Sequence, residues 1–161
     1  DKAMSTQLYD VLDVVGRRFQ EVFSQLFGGG TAQIVLTDPD NILTGGIDFY
    51  IQPTGKKRQQ LTLLSGGERA LTVIALLFSF LNYRPAPFCV LDEVDAALDE
   101  ANVERFSSYL NRINKETQFI VVSHRKKTME AAEVLQGVTM VERGVSRLLT
   151  VAFEDVKEDL A

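Results

Sequence analysis

Along the first 27 residues, apolar side chains recur at alternating steps of four and three: Leu8, Leu12, Val15, Phe19, Val22 and Leu26. That spacing lays one apolar seam along a long helix, either a coiled-coil strand or an amphipathic helix on a globular core. With only about three heptads present, the packed helix is the simpler reading of this stretch by itself. Gly28-Gly29-Gly30 then stops the helix, because successive glycines cost backbone entropy and supply left-handed caps. Two β runs follow, Ala32–Leu36 and Ile47–Ile51, joined by a turn segment rich in Asp, Pro, Asn and Gly. Pro53 to Gln60 is polar and basic, the pattern of a surface loop.

Ser65 followed three residues later by Glu68 predicts a helix start with a capping box. The helix behind it, Arg69 to Leu81, is apolar nearly all round, which predicts burial on most sides. Pro85 and Pro87 keep it from resuming. Phe88–Leu91 is a continuous apolar strand, the pattern of a parallel sheet covered on both faces. Val103, Phe106, Leu110 and Ile113 mark a helix over Asn102–Ile113, and Phe119–Val122 is a second apolar strand ending at Ser123-His124. A short helix over Met129–Val134 and strands over Gly137–Val141 and Ser146–Val151 complete the pattern. Strands alternating with helices predict an α/β fold, a mostly parallel sheet flanked by helices. The organisation expected is a packing helix over 1–27 and one domain over 28–161, with no internal repeat.

Charge and cysteine usage narrow the class. A net charge of −5 argues against wholesale wrapping of nucleic acid but leaves room for a local basic patch. The single cysteine, Cys89, cannot form an internal disulfide and sits in an apolar run, which predicts a reduced, buried thiol in the cytosol. No secretory signal opens the sequence. Its longest apolar stretch, Ala70 to Leu81, is too short for a bilayer and is broken by Thr72 and Ser79. A soluble cytoplasmic domain is expected.

Two segments carry phosphate chemistry. Ser65, Gly66, Gly67 and Glu68 open a helix whose unpaired N–H groups and macrodipole attract an anion, with no Cβ to obstruct it at the glycines. Ser-x-x-Glu is equally an ordinary helix cap. Asp92-Glu93 ends an apolar strand, where α/β sheets gather ligands. One carboxylate there can hold Mg²⁺ directly or through water, and its neighbour can deprotonate a water for attack on a γ-phosphate. The plain alternative is an acidic pair capping the next helix. His124, the one histidine, stands at the same kind of strand end. Lys56-Lys57-Arg58 and Arg125-Lys126-Lys127 read as solvated basic surface more readily than as DNA contacts. No Gly-x-x-x-x-Gly-Lys-Ser/Thr loop precedes these motifs: around Thr54-Gly55-Lys56-Lys57, Tyr50 stands in place of the first glycine and Lys57 in place of the hydroxyl. The sequence therefore holds half of a nucleotide-hydrolysing site.

Taken together, these residues resemble the ATP-binding-cassette ATPases, and among them the C-terminal half-head of bacterial structural maintenance of chromosomes (SMC) proteins. Leu64-Ser65-Gly66-Gly67-Glu68-Arg69-Ala70-Leu71 is similar to the signature motif. Val90-Leu91-Asp92-Glu93-Val94-Asp95-Ala96-Ala97-Leu98-Asp99 is similar to the Walker B strand and D-loop, and Ser123-His124-Arg125 to the switch-histidine segment. The resemblance runs from about Phe19 to Val151. It implies an ATPase-head C-terminal lobe with an N-terminal coiled-coil-root helix, so that the seam from Leu8 to Leu26 becomes the root of a returning coil.

The resemblance also implies roles. Ser65, Gly66, Gly67 and Glu68 bind the ATP held by an opposing head, Asp92 supports Mg²⁺, Glu93 activates the hydrolytic water, Asp99 lies at the head–head interface and His124 reads the γ-phosphate. The implied partners are the N-terminal half-head of the same protein, a second SMC head in a homodimer, DNA, and a kleisin subunit through its C-terminal winged-helix domain, with Val145–Phe153 as the contact and no membrane. The implied setting is the cytoplasm, on the nucleoid. An isolated half-head is expected to be inactive. Two rivals remain at this point: a DNA-repair ATPase half-head of the same superfamily, and a catalytically silent partner-binding domain.

Overall fold

The computed structural model describes residues 2–113 and 116–152. Helix α1 (Lys2–Phe27) leads into strands β1 (Thr31–Leu36), β2 (Ile47–Gln52) and the two-residue β3 (Gln59–Gln60). Helix α2 (Gly66–Tyr83), strand β4 (Phe88–Asp92), helix α3 (Glu100–Ile113) and strand β5 (Gln118–Val122) follow. A short α4 (Lys126–Glu130) then precedes a hairpin of β6 (Val134–Glu142) and β7 (Val145–Ala152). Among the described residues no helix is long and apolar enough to cross a membrane.

The seam of α1 divides in two. Val15, Phe19, Val22 and Leu26, with Phe23 beside them, are fully buried, whereas Leu8 and Leu12 are only half-buried. Only the second half of α1 is therefore a core element, laid across α2 and β1. Phe78 of α2 is the hub of the aromatic core, stacking on Phe106 and Tyr109 of α3 and meeting Phe119 of β5 edge-on. The triglycine does more than end α1. At Gly30 the backbone takes φ +91°, and a Cβ there would sit 2.4 Å from the Gln52 carbonyl oxygen, so only glycine lets the chain pass under β2.

Several expectations need correction. The sheet is not mostly parallel. Among the described residues the strands form three separate sheets: β1-β2-β3 antiparallel, β4-β5 parallel and β6-β7 antiparallel. Of the strand pairs among the described residues, only β4 and β5 are joined by a helical crossover, α3, long enough to return the chain in the same direction, whereas β6 and β7 meet through a two-residue turn. The stretch read as a loop up to Gln60 contributes β3, and the last helix lies over 126–130 because Val134 already belongs to β6. Cys89 is half-buried rather than buried, and burial pushes its thiol pKa up. The end of the expected 28–161 domain, with Phe153 of the expected kleisin contact, lies outside the described residues.

The largest departure is that the parallel pair is covered on one face only. Cys89, Leu91, Phe119 and Val121 point into the core. On the other face Phe88 (58% exposed), Val90 (56%), Ile120 (48%) and Val122 (51%) are bare, with Val90 directly opposite Ile120 in the register. Helix α2 behaves alike: Leu71, Ile74, Ala75 and Phe78 are buried while Val73, Leu77 and Phe80 form an exposed stripe. The apolar sequence is appropriate to elements buried all round, but this chain supplies only one of the two covers.

Candidate functional site

Ser65 is the N-cap of α2 in an extended conformation, and the capping box is complete. Its hydroxyl accepts from the Glu68 N–H at 3.4 Å and donates to Glu68 Oε2 at 2.7 Å, and the Ser65 N–H donates to the same carboxylate at 3.3 Å. The other carboxylate oxygen takes Lys56 Nζ at 2.7 Å. The Lys56 hydrogen bond, and then those from Ser65, hold the Glu68 carboxyl below its ordinary pKa against the opposing effect of burial. The positive end of α2 is thus already answered by its own glutamate. An incoming phosphate must share the Ser65 hydroxyl with Glu68 or displace it. A Cβ at Gly66 would meet nothing within 4 Å, so the backbone there is open to approach, while one at Gly67 would press on the Ala97 carbonyl oxygen at 3.1 Å. Gly67 therefore belongs to the contact between α2 and the turn after β4.

Asp92 and Glu93 emerge at the carboxyl end of β4, both exposed. Glu93 adopts φ +49°, the only positive φ outside glycine among the described residues. A side chain in this left-handed region costs about 1–2 kcal/mol. Here it is held by the Glu93 N–H donating to the Val122 carbonyl at 2.9 Å and by the Ala96 N–H donating back to the Glu93 carbonyl at 3.0 Å. The strain aims the Glu93 carboxylate at the edge where β5 ends, and His124 Nδ1 stands 4.0 Å from Glu93 Oε1. The structure therefore brings Asp92, Glu93 and His124 to one sheet edge. No cluster of three or more His, Cys, Asp or Glu able to hold a metal occurs among the described residues. Asp92 alone suits Mg²⁺, which takes one or two carboxylates and leaves its other positions to water and phosphate oxygens.

Asp99 caps α3: its carboxylate accepts from the Asn102 N–H at 2.8 Å and from Asn102 Nδ2 at 3.1 Å. Ahead of it lies a cluster the motif reading missed. Asp95 is fully buried, and its Oδ2 accepts from Ser123 Oγ and Thr128 Oγ1, each at 2.5 Å. Arg125 turns its guanidinium onto the carbonyls of Leu98 (2.5 Å) and Ala96 (3.3 Å). Two supposed surface clusters are therefore partly structural: Arg125 closes the turn after β4, Lys56 pairs with Glu68, and Arg58 lies 4.6 Å above the Tyr50 ring. Nothing in the local pattern marks these roles, because each partner stands far away in sequence.

The fold and the ordering of these sites define a class. The profile of the RecF/RecN/SMC N terminal domain family matches residues 19–147, and the chain belongs to that family. It is 57% identical over 158 residues to the chromosome partition protein Smc of Bacillus subtilis, an alignment that covers 98% of this chain and 13% of that protein. The chain thus spans a small part of the length of its curated relatives. A Pyrococcus furiosus Smc head domain with an extended coiled coil, solved bound to the C-terminal domain of ScpA, superimposes with a TM-score of 0.89 at 35% identity, over 99% of this chain and 40% of that one. A second solved chain, from a study of ATP-driven dimerisation and DNA-stimulated activation of SMC ATPases, gives a TM-score of 0.86 at 35% identity over 97% of this chain and 94% of that one. The resemblance read from the motifs therefore holds at the level of an SMC head.

Proposed function

We propose that this chain is the C-terminal half of an SMC-type ATPase head. The observation that carries the reading is the bare apolar face of the β4–β5 pair, a sheet face made for burial whose cover comes from elsewhere. The family profile is described as an N terminal domain, yet a first half would carry the phosphate loop, and none occurs in the 161 residues. The near-equal extent of the second solved chain, of which 94% is covered, supports a half-head as a unit.

In this reading the N-terminal half supplies the phosphate loop and the second cover. Asp92 would hold Mg²⁺ directly or through water, a cation that would supply neutralisation of phosphate charge when bound. Glu93 takes a proton from the attacking water, and His124 donates to the γ-phosphate from the same sheet edge. Ser65, Gly66 and Gly67, with Glu68 setting the cap, face the ATP of a second head, and Asp99 lies where the two heads meet. Hydrolysis removes the anion that bridges the heads, so their engagement follows the ATP cycle. The whole protein uses that cycle on DNA in chromosome condensation and segregation in the cytoplasm, with a kleisin subunit docked on the outer β6–β7 hairpin. That hairpin suits docking: Val138, Met140, Val145 and Leu148 are all exposed.

The test is complementation. Mixing this chain with its N-terminal half should give ATP turnover that neither part shows alone. Turnover by this chain alone would overturn the half-site reading. Tight association without turnover would leave a silent partner-binding domain in its place.

A further inference from the structure

Both ends of the segment carrying His124 are fastened to the turn carrying Glu93. At one end the Val122 carbonyl accepts the Glu93 N–H. At the other, the Thr128 hydroxyl donates to the same Asp95 oxygen that the hydroxyl of Ser123, next to Val122, also reaches. Arg125 adds a third fastening through the Ala96 and Leu98 carbonyls, and the Arg125 N–H donates to Ser123 Oγ at 3.0 Å. Asp95 is fully buried, no cation pairs with it among the described residues, and its second oxygen has no partner. A buried carboxyl group without a counter-charge is a poor source of stability, since its desolvation is only partly repaid by neutral hydroxyls. What the arrangement does supply is geometry: two short hydrogen bonds that set how residues 123–128 sit against residues 93–98.

We infer that Asp95 is a positioning residue, a clamp that fixes where His124 stands relative to Glu93. This rests on the ATPase reading above. The buried Asp95 carboxylate bonds Ser123 and Thr128 rather than the exposed Asp92 and Glu93, so it acts through the backbone of the two segments. The histidine itself is exposed and among the described residues its side chain makes only the 4.0 Å approach to Glu93, so its place is set by its backbone rather than by its side-chain contacts. Loosening the clamp should therefore spoil the alignment of His124 with Glu93 while leaving nucleotide binding and head engagement intact. Misplacement of that kind slows the chemical step.

The experiment uses the complete head, this chain together with its N-terminal half. Thr128→Val keeps the side-chain shape and removes one of the two donors, and Thr128→Ser restores it. Asp95→Asn and Asp95→Ala test the acceptor, but the threonine pair decides the matter should those variants fold poorly. Amide hydrogen exchange over residues 122–129 should quicken in Thr128→Val. Turnover at saturating ATP should fall about tenfold, with the KM for ATP and ATP-dependent dimerisation unchanged. Thr128→Ser should return both to wild type. Unchanged exchange in Thr128→Val overturns the clamp. Faster exchange with full turnover overturns its positioning role, as does a loss of thermal stability with kcat and KM altered together and no rescue by serine. If the wild-type head shows no turnover at all, the ATPase reading fails, and hydrogen exchange still decides whether the clamp exists.

Discussion

At the scale of single residues, Glu93 combines two properties that a spacer would not need together. Its carboxylate is exposed at a strand end, and its backbone is held in the left-handed region by hydrogen bonds to Val122 and from Ala96. Strain retained at an exposed acid points to a site where direction matters. Replacing Glu93 by Gln keeps shape and backbone but removes basicity. In a complete head, Glu93→Gln should lower ATP turnover by about a hundredfold or more, the scale of a lost general base, while ATP-dependent dimerisation persists. Turnover assays and gel filtration would check both halves of that outcome. The positions of Glu93 and His124 were legible in sequence because each stands two residues beyond the end of an apolar run. Asp95 was not, because its partners Ser123 and Thr128 lie 28 and 33 residues away, and only the parallel pairing of β4 with β5 brings them close.

At the scale of elements, α2 shows how a local signal and a tertiary one combine. Ser65 and Glu68 announce the cap by spacing alone, and the helix begins where they place it. The ion pair from Lys56 could not be read, since it depends on the path of the 53–58 loop. That pair has a consequence for pH. The Glu68 carboxyl is held below its ordinary pKa in the folded chain, so its stabilising contribution is complete above the unfolded glutamate value. It is lost as pH falls through the depressed folded value. Glu68→Gln should start with a lower thermal midpoint near neutrality and lose less of it on acidification than the wild type. Melting curves across the carboxylate range, run on both proteins, would check this. An equal loss in both would remove Glu68 from the acid dependence.

At the scale of the whole molecule, the covered and uncovered faces of β4–β5 make a prediction that separates folding from assembly. Val90→Asp and Ile120→Asp place charges on the bare face and should change the stability of this chain by no more than about 0.5 kcal/mol, as surface substitutions do. Leu91→Ala, one residue along on the buried face, should cost about 2–5 kcal/mol. Only the aspartate variants should fold normally and yet fail to bind the N-terminal half, because each would bury a charge that the partner leaves unpaired. Thermal unfolding and gel filtration of the mixture distinguish the two classes. Binding undiminished in Val90→Asp and Ile120→Asp would place the missing cover elsewhere.

Local sequence by itself determined α1, α2 and α3 to within two residues at their ends, together with the capping box, the direction of β4 and β5, and the placing of the acids and the histidine at strand ends. Each of these depends on residues a few positions apart, where periodicity and caps act. Only the tertiary structure decided that the seam of α1 is core from Val15 onward, that the sheets are mostly antiparallel, and that Asp95 joins two motifs. It also decided which apolar faces stay bare. A run such as Phe88–Leu91 records that a strand is to be buried on both sides, but not whether the burying atoms belong to the same chain. That is fixed by the number of elements available to cover it, which no local pattern encodes.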